Sequence, residues 1–165
     1  MSLIANELGG GRLFEAPWSS ARCARAGFLP TPEEVEVADL LLGKAASDLS
    51  AARVLADDAN QHDDVVGFHA QQAIEKSLKA VLAVRGFEIP RTHDLDLLTR
   101  LVATGPDPFP NELHDANALS PWAVATRYDD INATLDRGAA VEIAEKSLIW
   151  ARQRVEAARG DKNDG

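Results

Sequence analysis

From Ala38 to Val155 the apolar residues of this chain recur at steps of three and four, and no stretch of them alternates at the period of a strand. A residue turns about 100° around a helix and about 180° along a strand, so this pattern calls for helices that each bury one face. Aromatic residues make up only 5% while alanine and leucine dominate, a balance that also leans towards helix. The reading is all-α: an antiparallel up-and-down bundle of four main helices plus a short helix.

The first helix belongs to 31-TPEEVEVADLLLGKAASDLSAARVLADD-58, where Thr31 suits the N-cap, Pro32 the first helical position and Glu34 a capping box. Ala38, Leu41, Leu42, Ala45, Leu49, Ala52 and Leu55 or Ala56 make its apolar stripe, and small residues around Gly43 favour close helix packing. The second helix is 67-GFHAQQAIEKSLKAVLAVRG-86. With His69 at zero, Ala70, Ala73, Ile74, Leu78, Ala80, Val81 and Val84 fall between about 20° and 180°, while Gln72, Glu75, Lys76, Lys79 and His69 fill about 240° to 360°. Gly86 ends it.

A third helix follows Pro90, capped by Thr92, with Leu95, Leu98, Leu101 and Val102 inward. Four prolines punctuate 105–130, leaving a short helix over roughly 111–119, a break at Ser120-Pro121 and a further turn or two to about Tyr128. A last helix covers about 137–158, with Ala140, Ile143, Ala144, Leu148, Ala151 and Val155 inward and Glu142 and Lys146 as an i,i+4 pair. Residues 1–30 read as a poorly ordered or loosely docked arm, 31–159 as the helical domain and 160–165 as a disordered tail.

The formal charge of −9 and pI near 4.8 oppose bulk binding to nucleic acid or anionic membrane, so a polyanion needs a local cationic patch. Cys23 is the single cysteine, which rules out an intrachain disulfide, and no apolar run reaches the roughly 18–20 residues of a membrane span. A long apolar N-terminal stretch is absent too, so the expected location is cytoplasmic. No phosphate-loop, dinucleotide, zinc-protease, nucleophile-elbow or CxxC motif occurs. None of the histidines at 62, 69, 93 and 114 pairs with another at i,i+3 or i,i+4, and 61-QHDD-64 reads as a polar loop, so no metal site is assigned.

Three constellations remain. The stripe His69, Gln72, Glu75, Lys76 and Lys79 is either a solvated or dimer-facing strip or a phosphate-facing surface with two cations and oriented donors. In 85-RGFEIPRTHDL-95, Arg85, Arg91 and His93 bracket the turn that opens the third helix, while Asp94 suits its first-turn dipole. Arg127 and Tyr128, in 127-RYDD-130, read as structural polar residues, with the Arg placed to pair with Glu75 or Asp94.

Taken in order, "FHAQQAIEKSLKAVLAVRG", "RTHDLDLL" and "ATRYDD" resemble the HEPN domain family of prokaryotes, over roughly residues 34–158. The resemblance implies a helical bundle that forms a homodimer and works with a minimal nucleotidyltransferase, in several cases as a toxin–antitoxin pair. For the branch most similar to this sequence it implies nucleotide binding, here by His69, Gln72, Glu75, Lys76, Lys79, Arg91 and His93, with no cofactor. Many members are instead metal-independent endoribonucleases that carry Arg-x4-6-His, the His moving protons and the Arg stabilising a phosphorane. That motif is absent: seven residues separate Arg85 from His93, one separates Arg91 from His93, and thirteen separate Arg100 from His114. If the chain cleaves RNA, Arg91 and His93 are the catalytic candidates; a structural dimer partner without ligand is the third alternative.

Overall fold

The computed structural model describes residues 29–105, 107–123 and 134–160, and the regular elements among them are all helical. They are α1 (Pro32–Ala56), α2 (Asp63–Val84), α3 (Leu95–Ala103), a 3-10 segment (Asn111–Leu119) and α4 (Arg137–Gly160). The expected arm up to residue 28, Cys23, Arg127, Tyr128 and the last five residues lie outside the described residues. No described helix is long and apolar enough to cross a membrane.

The capping box of α1 forms as expected: Thr31 Oγ1 accepts from the Glu34 N–H, and the Glu34 carboxylate accepts from the Thr31 N–H. Ala38, Leu42, Ala45, Leu49 and Ala52 are its buried face. Gly43 departs from expectation. It is exposed, and a Cβ built there would meet nothing within 4 Å, so no close helix packing depends on it. The near approach is at Gly67 instead, where a Cβ would sit 2.6 Å from the Trp122 ring.

The central element is α2, which packs against α1, α3, the 3-10 segment and α4. That is why Ile74, Leu78, Val81 and Leu82 are fully buried, and why burial spreads round to Gln71, Glu75 and Ser77 as well. The helix closes in a Schellman motif: the Phe87 N–H donates to the Leu82 carbonyl at 3.1 Å and the Gly86 N–H to the Ala83 carbonyl at 2.9 Å. Gly86 stands at φ 68°, a left-handed conformation that side chains with a Cβ resist.

Ion pairs fix how the long helices run. Arg53 meets Glu145, and Arg159 meets Asp39, so α1 and α4 are antiparallel. Arg137 joins both ends of the bundle's connections: its Nε donates to Asp63 at 2.6 Å and its Nη atoms to the Asp58 and Gln61 carbonyls. The Arg137 guanidinium and the Leu135 N–H hold the Asp63 carboxyl below its ordinary value of 3.8. Asp63 and Asp64, expected in a polar loop, form the first turn of α2. Two further local expectations change. Asp94, not Thr92, caps α3, accepting from the Asp96 and Leu97 N–H groups, while Thr92 Oγ1 receives the Asp94 N–H. The 111–119 segment, flanked by prolines, winds as a 3-10 helix.

The two glycines predict substitutions of opposite sign. Gly86→Ala forces a Cβ into the left-handed region and should cost about 1–2 kcal/mol, whereas Gly43→Ala adds helix propensity at an open position and should gain about 0.5–1 kcal/mol. Urea or thermal unfolding of the two variants beside the parent protein checks both signs.

Candidate functional site

The polar sector of α2 is not a row of solvated tips. It is one hydrogen-bonded network, much of it inside the protein. At its centre is Glu75, whose side chain is only 5% exposed. Its Oε1 accepts from Lys79 Nζ at 2.8 Å, and its Oε2 accepts from Gln71 Nε2 at 3.0 Å and from Gln72 Nε2 at 3.3 Å. His93 Nδ1 lies 3.0 Å from the same Oε2. Burial alone would raise the Glu75 pKa, but the Lys79 ammonium, the Gln71 amide and the His93 ring outweigh it and hold the group below its ordinary 4.5. An ionised carboxylate only accepts, so His93 carries its proton on Nδ1 and turns Nε2 away from Glu75.

A second centre lies one turn back along α2. Asp48 comes from the facing helix α1 and receives Lys76 Nζ at 2.6 Å on Oδ2, with His69 Nδ1 at 3.0 Å from Oδ1. The glutamines join the two centres. Lys76 Nζ also donates to Gln72 Oε1 at 2.7 Å, which leaves the Gln72 amide nitrogen to donate to Gln71 Oε1 at 2.8 Å and to Glu75. The amide groups of Gln71 and Gln72 thus have set directions.

The same side chains strap the turn before α3 onto α2. Lys79 Nζ donates to the Thr92 carbonyl at 2.9 Å, and Gln71 Nε2 donates to the His93 carbonyl at 3.1 Å. The backbone that enters α3 therefore runs past Gln71, Glu75 and Lys79, and Arg91 is exposed at its edge. The His93 side chain is 59% exposed, against 12% for Lys79 and 19% for Lys76.

His69, Gln72, Glu75, Lys76, Lys79 and His93 are brought together, and exposed Arg91 precedes Thr92, whose carbonyl Lys79 holds. Arg85 is not part of this group: its Nη1 donates to the Val102 carbonyl and its Nη2 to the Asp107 carbonyl, at the far end of α3. Helical angles on α2 alone miss two members. Asp48 belongs to another helix, although its place three residues after Ala45 and four before Ala52 puts it beside the buried stripe of α1. Gln71 sits at the seam between the apolar and polar arcs and is fully buried. Among the described residues no cluster of three or more His, Cys, Asp or Glu could hold a metal ion.

Glu75 makes the strongest prediction. Because its folded pKa is depressed, its contribution to stability is fully present above about pH 4.5 and is lost as pH falls through the folded value. Glu75→Gln leaves Lys79 without its countercharge and should cost about 3 kcal/mol at neutral pH. Urea unfolding from pH 7 to pH 3 should show the gap between variant and parent shrinking below pH 4.5.

A family model for the HEPN domain matches residues 38–160. Among solved structures, the crystal structure of TT1696 from Thermus thermophilus superposes with a TM-score of 0.58. It covers 71% of this chain and 97% of that one at 24% identity, a level that bears on the fold alone. No curated protein matches the sequence. The all-helical bundle and a family match over most of its length lead to one conclusion: the chain belongs to the HEPN domain family.

Proposed function

We propose that this HEPN protein is a nucleotide-binding regulatory module that works with a minimal nucleotidyltransferase, as a cytoplasmic homodimer and one half of a toxin–antitoxin pair. The observation that carries the reading is the α2 network with Arg91 at its rim. Lys76 has two described acceptors, Asp48 and Gln72, and Lys79 has two, Glu75 and the Thr92 carbonyl. An ammonium has three donors, so each keeps one for a ligand oxygen in a direction fixed by the other two. Arg91 adds an exposed guanidinium suited to phosphate, and His93 offers Nε2. The nucleotidyltransferase partnership, the dimer and the toxin–antitoxin role come from the family reading.

ATP or GTP at millimolar concentration should raise the melting temperature, because a ligand selective for the native state must stabilise it. Arg91→Ala should reduce that rise and leave the unliganded melting temperature unchanged. No rise with either nucleotide would count against binding. A nucleotidyltransferase encoded beside this chain that fails to co-purify with it would count against the partnership.

One feature favours RNA cleavage as the second reading. The exposed His93 ring has a buried, ionised carboxylate behind Nδ1, the arrangement that orients an imidazole for proton transfer at Nε2. RNA incubated with the protein in EDTA should then be cut at a rate that falls by about 100- to 10,000-fold in His93→Ala. RNA left intact by the parent protein dismisses this reading.

A further inference from the structure

Lys76 and Lys79 are one turn apart on the same face of α2, about 4.5 Å along the helix axis. Each ammonium is matched to its own carboxylate, Asp48 for one and Glu75 for the other. The matching leaves each lysine with one open donor and little net charge. A single phosphate placed here gains one lysine hydrogen bond, and it meets a carboxylate beside it whichever lysine it chooses. A chain of two linked phosphates can take both open donors at once. The second contact then comes without a second loss of translational freedom, so it adds far more to affinity than the first.

The glutamine bridge fixes the interval. Gln72 is held at both ends, by Lys76 on its oxygen and by Gln71 and Glu75 on its nitrogen, so the two ammonium groups cannot drift independently. Lys79 is further pinned by the Thr92 carbonyl, in the residue next to the exposed Arg91.

We infer that the site selects ligands by the number of linked phosphates: pyrophosphate and nucleoside di- or triphosphates bind, and inorganic phosphate and nucleoside monophosphates bind weakly at best. This inference rests on the nucleotide-binding reading above and adds the ligand class.

Thermal shift and calorimetric titration with five probes test it: inorganic phosphate, pyrophosphate, AMP, ADP and ATP, all without added metal. The expected result is at least tenfold tighter binding of pyrophosphate over phosphate and of ADP over AMP. Lys76→Gln and Lys79→Gln should each bring pyrophosphate affinity down towards that of phosphate. Circular dichroism identifies a variant that has not folded, and the ratio of probes on the parent protein stands without either variant. AMP binding as tightly as ADP would overturn the phosphate-number rule and leave nucleotide binding intact. No binding of any probe would overturn both. Discrimination that survives either lysine substitution would overturn the assignment of the two donors.

Discussion

A carboxylate with only 5% of its side chain exposed must be paired, and this requirement on Glu75 organises everything around it. Two amides, an ammonium and an imidazole converge on its two oxygens, and each of those groups is thereby fixed against something else. Lys79 and Gln71 carry the constraint to the Thr92 and His93 carbonyls, which sets where the chain enters α3. Gln72 carries it to Lys76 and so to Asp48 on α1. One buried charge thus couples three helices and the turn between two of them. The apolar core reaches this connection through Phe87 and Ile89, and the polar network holds its last turn, at Thr92 and His93.

The same requirement explains the unusual burial of α2. A helix packed on one side keeps a wet polar face, but α2 is covered by α1, α4, α3 and the loop that precedes α3. Its polar arc survives at that depth only because its members satisfy one another. Alanines at Ala70, Ala73 and Ala80 are fully buried and let neighbouring helices approach, which brings Asp48 within reach of both His69 and Lys76.

The sequence made the helices legible because a period of three and four needs only local information. Thr31, Pro32 and Glu34 announce the start of α1, and Gly86 announces the end of α2, through chemistry confined to one turn. Thr92 misled because two nearby residues, Thr92 and Asp94, are both good caps; the backbone turn decides between them. The stripe was legible as a set of residues but not as a network. Its direction depends on Asp48, which lies 21 residues before His69 in the chain, and on carbonyls of a loop. A helical wheel distinguishes inside from outside. It cannot tell that a charged arc lies under a loop, since that depends on how the chain returns after Gly86.

A pair of bare lysines on an acidic protein would draw any polyanion through its field, and selectivity would be poor. Lysines already matched to carboxylates act differently. They present hydrogen-bond donors with fixed directions and little surplus charge, so a ligand gains from them by geometry and not by attraction at a distance. Arg91, exposed at the rim, is left as the group that offers surplus charge. Under the nucleotide-binding reading this divides the work: the arginine meets an incoming phosphate, and the α2 donors measure its length. On the same reading a chain of net charge −9 needs no broad basic surface to bind phosphate, because the selection would take place over one turn of helix.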